Sequence, residues 1–167
     1  MQTSKMMYAF QLCYNNHMLK RALVLIAAVI VFVVIFDAIF HNAYRPSNKT
    51  EVVLGGKTFA VDVADTPVLQ ERGLSGHAPL ADNAGMLFVF GAPDKYGFWM
   101  KEMNFPLDII WISSDYHIVF MEKNLAPRTY PTIYYPASPA QYVLEISAGQ
   151  TDTLNIKIGD AVNFTKN

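Results

Sequence analysis

The sequence predicts a mainly β domain, a sandwich or barrel with one or two short helices, preceded by a single N-terminal transmembrane helix. Three observations lead there. From residue 51 onward, short apolar runs alternate with Gly, Pro, Asn and Asp turn signals, and few stretches carry a helical period. Residues 22–36, ALVLIAAVIVFVVIF, contain no polar side chain. The lone cysteine, Cys13, lies upstream of that run, so the β part has no internal disulfide and must be held by its core.

The apolar run comes first in the chain. With Ala38, Ile39 and Phe40 after Asp37 it extends over 22–40, which as a helix reaches about 28 Å, close to the ~30 Å hydrocarbon core of a bilayer. A soluble helix that is apolar on every side would need partners all round, more than a domain of this size supplies. We read 22–40 as an anchor in the cytoplasmic (inner) membrane, with the lipid bilayer as its partner. The alternative is a secreted protein after signal cleavage, but His41 fits poorly in the best candidate cut after His41-Asn42-Ala43. Lys20 and Arg21 precede the run and Arg45 is the nearest cation after it. The positive-inside rule therefore puts 1–21 in the cytoplasm and the rest on the extracytoplasmic side. Met18 opens MLKRALVL and is an alternative start to Met1. Cys13 reads as an incidental thiol rather than a palmitoylation site.

Residues 41–50, HNAYRPSNKT, read as a tether, and 51–167 as the β domain. Val52–Leu54 and Lys57–Val63 flank Gly55-Gly56, a hairpin signal. Asp65-Thr66-Pro67 opens a short helix, Pro67–Arg72, with Thr66 or Asp65 as cap and Gly73 as terminator. Met86–Phe90, Phe98–Met100, Leu107–Ile112, Ile118–Glu122 and Tyr142–Ile146 read as strands. Thr151–Ile156 reads as a helical turn and Val162–Phe164 as a last strand after Gly159-Asp160. Within Leu107–Ile112 both faces are largely apolar, Leu107, Ile109 and Trp111 on one and Asp108, Ile110 and Ile112 on the other, so this strand is central.

Four separated segments, VADTPVLQERGLSGHAPL, GMLFVF, FWMKEMNFPLDIIWI and YVLEISAG with IKIGDAV, occur in an order that resembles domain of unknown function family 192, an uncharacterised bacterial and archaeal family. The resemblance covers about residues 51–164. It implies a jelly-roll-like sandwich with a short helix, often exported or tethered, and brings no established activity. His77, Glu102 and Gln141 depart from residues common in the family, so a mechanism that needs those residues does not carry over.

Charges inside the apolar segment YGFWMKEMNFPLDIIWI supply the site candidates. Phe98 and Trp99 suit a stacking platform for a sugar or peptide, or else core packing. Lys101 and Asp108 suit a ligand-orienting pair, or an ion pair closing the bend at Pro106. Arg72 at the helix end and Glu145 on a strand suit the same two readings, Arg72 by bidentate bonding to a carboxylate. Glu102, Asp108 and Glu145 are the catalytic candidates should two of them flank one cleft, as in glycoside hydrolysis. Tyr134 and Tyr142, in the Pro- and Tyr-rich tract 126–142, are candidates for lining a groove.

Other chemistries find no support. His77 and His117 lack ligand-spaced neighbours, so no metal is expected, nor any cofactor. Ser75 is not set in a nucleophile elbow. From residue 41 on, ten Lys and Arg stand against thirteen Asp and Glu, which gives no electrostatic basis for a nucleic-acid partner. The expected function is a membrane-anchored binding module for an envelope polysaccharide, peptide or protein. A hydrolase and a structural subunit of a membrane complex are the alternatives.

Overall fold

The computed structural model describes residues 18–37 and 49–166. The stretch 1–17, with Cys13, and most of the tether expected over 41–50 lie outside the described residues. The chain divides into two compact units, Met1–Ala43 and Tyr44–Asn167. In the first, helix α1 (Met18–Asp37) is long and apolar enough to cross a membrane, and none of its apolar window is buried.

The second unit is a β body. Its strands are β1 (Lys49–Leu54), β2 (Lys57–Ala64), β3 (Ala84–Asp94), β4 (Phe98–Trp99), β5 (Leu107–Ile112), β6 (Ile118–Leu125), β7 (Ile133–Tyr134), β8 (Ala140–Ser147) and β9 (Asn163–Lys166). The helices are α2 (Pro67–Arg72), a 3-10 turn (Pro127–Thr129) and α3 (Gln150–Thr153). Seven strands form one sheet in the order β6-β5-β8-β3-β2-β1-β9, while β4 and β7 pair separately. All pairs in the large sheet are antiparallel except β2 with β3. A parallel pair needs a crossover, and α2 lies within it.

The sheet curls into a half-barrel. Near one end, the start of β6 meets the segment leading into β9, at the opposite edge of the sheet. His117 bridges Ala161, and backbone bonds run from Ile118 N to Asp160 O (3.0 Å), Gly159 N to Ile118 O (2.8 Å) and Val162 N to Tyr116 O (2.8 Å). Curling turns one face inward. Val52, Leu54, Phe59, Val61, Leu87, Ile110, Ile112, Leu144 and Ile146 fill that interior core. The mainly β fold with short helices behind an apolar N-terminal helix is as expected, in half-barrel form.

The outer face carries a second core, built on Met86, Phe88, Leu107, Ile109, Trp111 and Val143 and covered by Leu69, Leu74, Met100 and Phe105. β5 therefore has every residue buried, because its two faces belong to two cores. The sheet alone cannot cover this outer face, so α2 and the segment 95–106 do. Two bonds pin them down. Gln70 Nε2 donates to Val89 O at 2.8 Å, and Trp111 Nε1 donates to Tyr96 O at 2.9 Å.

α2 follows its sequence signals. Thr66 caps it, with Leu69 N donating to Thr66 Oγ1 at 3.4 Å, Pro67 opens it, and Gly73 ends it at φ 50°. The loop after it is tied to the outer segment: Ser75 Oγ donates to Lys101 O at 2.9 Å and Gly76 N to Glu102 O at 2.9 Å.

Candidate functional site

Between the two covering layers lies a cleft of about 250 Å3. One wall is the end of α2 and its exit loop, Gln70–Ser75. The other is Tyr96–Trp99 with Met103. Phe88 and Phe90 of β3 and Glu145 of β8 form the floor. The aromatic rings hold one another. Phe98 packs edge-on against Phe88 (centroids 4.8 Å) and Trp111 (5.7 Å), and Phe90 stacks on Tyr96 (3.5 Å). Interlocked rings give a preformed apolar surface with little ordering left to pay on binding. Trp99 remains 42% exposed at the mouth.

Glu145 is the unusual member. It is 5% exposed, and its buried Oε2 has no hydrogen-bond partner among the described residues. Its register partners are Met86 on β3 and Ile109 on β5, so its own sheet offers it two apolar neighbours. Burial pushes its carboxyl up to about 8, because a low-dielectric setting disfavours the charged form. At neutral pH Glu145 is therefore a neutral acid. Gly73 lies next to it. A Cβ there would sit 3.1 Å from Phe88 Cζ and 3.9 Å from Glu145 Oε2.

Asp108 has the opposite setting. It is fully buried, and its carboxylate accepts four hydrogen bonds: from Asn124 N (2.8 Å) and Gly149 N (3.2 Å) at Oδ1, and from Thr151 N (2.9 Å) and Oγ1 (2.7 Å) at Oδ2. It anchors the α3 turn to the β5–β6 edge. Asp108 aligns with Ile146 on β8, whereas Glu145 aligns with Ile109 on β5. Side chains alternate along a strand, so the two carboxyls project from opposite faces of the sheet. They cannot flank one cleft. Among the described residues Lys101 and Asp108 form no ion pair. At the bend, Pro106 O instead accepts from Ala148 N at 3.3 Å.

The remaining candidates separate in space. Arg72 and Trp99 line the cleft. Lys101 and Glu102 line an adjoining hollow that shares Glu71, Arg72 and Ser75 with it. Tyr134 pairs with Phe98 across β4–β7 and packs on the outer core from behind. Tyr142 belongs to the other face, ringed by Tyr116 and Phe164. Tyr134 therefore supports the wall strand Phe98–Trp99, and neither tyrosine lines the cleft. Tyr96 and Gly73 are cleft residues that sequence reasoning passes over. The pairing of a ring with glycine in Tyr96-Gly97 is a signal for the first. Among the described residues no group of three or more His, Cys, Asp or Glu is placed to hold a metal ion.

A curled β body with an aromatic cleft floored by one buried acid defines the class of protein. The chain belongs to domain of unknown function family 192, whose model, described as "Uncharacterized ACR", matches residues 50–164. Two solved structures are similar. A protein of unknown function from Novosphingobium aromaticivorans shares 34% identity at a TM-score of 0.64, over 69% of this chain and 83% of that one. A Sinorhizobium meliloti protein, described as a candidate transcription regulator, shares 32% identity at a TM-score of 0.64, over 70% of this chain and 92% of that one. The match takes up nearly all of the second protein, so the β body folds there with little added. No curated protein matches the chain.

Proposed function

We propose that this protein is a membrane-anchored, extracytoplasmic binding module whose aromatic cleft takes part of an envelope polysaccharide, peptide or protein. The observation that carries this reading is the cleft itself. It has apolar rings on its walls and floor, and a buried acid whose Oε2 has no hydrogen-bond partner among the described residues. Pockets of this make-up, mostly apolar with a few convergent polar groups, are the usual form of a ligand site. The location rests on α1, a helix of 20 residues long and apolar enough to cross a membrane, and on Lys20 and Arg21 at its start. In this reading α1 spans the cytoplasmic membrane with its N-terminus inside.

A hydrolase of the two-carboxylate kind has less support, since Asp108 and Glu145 face opposite sides of the sheet. The test of the binding reading is a screen of Tyr44–Asn167 against envelope glycans and peptides. Trp99→Ala is expected to weaken any hit at least tenfold. Hits indifferent to Trp99, or no hit at all, would remove the reading. The anchor is tested by fractionation of the full chain, which is expected in the membrane pellet. A membrane-impermeant thiol reagent should label Cys13 only after the cytoplasm is opened.

A further inference from the structure

The chemistry around Glu145 narrows what the cleft can select. Glu145 lines the cleft, and its buried Oε2 has no hydrogen-bond partner among the described residues. Leaving a buried polar atom unpaired is unfavourable, so a ligand group that meets the carboxyl completes the site. What meets it depends on what the neighbours offer. On the sheet, Met86 and Ile109 flank Glu145 in register. α2 brings exposed Glu71 and half-buried Arg72 to the cleft, and the opposite wall brings Tyr96. Arg72 carries only hydrogen-bond donors.

We infer that the cleft selects a flat apolar group ending in an oxygen acceptor, a carbonyl or a carboxylate, which takes a hydrogen bond from the Glu145 carboxyl while its flat body packs among Phe88, Phe90, Phe98 and Trp99. This rests on the binding reading above. An ammonium ligand would require Glu145 to give up its proton on a floor where burial opposes the charge. An acceptor ligand needs no such change. Burial holds the Glu145 proton to about pH 8, so the donor is in place at neutral pH. The Tyr96 phenol is itself raised above its ordinary 10 and stays neutral across the range that matters.

The experiment titrates Tyr44–Asn167 with three probes of one shape: phenylacetamide, phenylacetate and phenethylamine. Chemical-shift changes are read at pH 6 and pH 9. Phenylacetamide is expected to bind at pH 6 and to weaken about tenfold at pH 9, where roughly one Glu145 in ten keeps its proton if it titrates near 8. Phenylacetate should follow the same trend, and phenethylamine should not bind. Glu145→Gln keeps a donor, so it is expected to retain phenylacetamide binding and lose the pH dependence. Glu145→Met should lose binding at both pH values. The inference is overturned if the amine binds best, if phenylacetamide affinity ignores pH, or if Glu145→Gln abolishes binding in a folded protein. Should all three probes fail while a glycan or peptide binds through Trp99, this inference falls and the binding module stands. Should those fail too, both fall.

Discussion

Ile109 of β5 faces Glu145 of β8, and one step along the same ladder Asp108 faces Ile146. One residue of offset gives the two acids different chemistry. Asp108, with four donors, is a structural clamp. Asp108→Asn replaces a charge-assisted acceptor with an amide that must turn a donor toward other donors. It is expected to cost roughly 3 kcal/mol, read as a lower urea midpoint with an unchanged slope. Glu145, with an unpartnered oxygen, acts in the reverse sense. Its pKa is about 8 in the folded protein against an ordinary 4.5. As pH rises from 4.5 to 8 the unfolded chain loses this proton and the folded protein keeps it, so folding stability falls through that window and levels off above it. At ~1.4 kcal/mol per unit the penalty at pH 8 is on the order of 5 kcal/mol. Glu145→Gln avoids it. The variant should melt several degrees above the parent at pH 8, and the gap should close by pH 4.

At the scale of elements, α2 shows how far local signals reach. Thr66, Pro67 and Gly73 fix its start and end in the sequence, and the helix occupies Pro67–Arg72, because capping is decided within one turn. Leu107–Ile112 is equally legible, and its split into two apolar faces anticipates the two cores. β7 and the Pro127–Thr129 turn are not legible, since a two-residue strand is defined by its partner, Phe98–Trp99, and not by its own period. Site residues divide in the same way. Glu145 stands out as the one charged residue in the otherwise apolar and aromatic run Tyr142–Ile146. That Tyr142, three residues away, faces the other core follows from the register of β8 within the sheet. The fate of Lys101 depends on how the 95–106 segment folds over α2, a long-range contact with no local signature. Gly73 ends α2 with a positive φ that a side chain resists, under the Phe88 ring. Gly73→Ala is expected to cost roughly 1–3 kcal/mol and to shift the Phe88 resonances, which a two-dimensional NMR spectrum would report.

For the whole molecule, the two units make separate demands. α1 exposes a largely apolar surface that lipid or another apolar partner satisfies. Tyr44–Asn167 has two cores of its own and contains no cysteine. Expressed without α1, it should stay soluble, give a β-type circular dichroism spectrum and unfold at the same denaturant concentration with or without a reductant. A midpoint that moved with the reductant, or precipitation of the fragment, would contradict that picture.

The central strand acts as a partition between two rooms, and its occupants answer to different neighbours. Trimming Ile109 or Ile110 to valine should remove about 1 kcal/mol in either case. Only the first leaves a gap beside the lone acid, and so only it should alter the pH at which that acid titrates. Of two adjacent letters in the text, one would then bear on durability alone and the other on durability and recognition together.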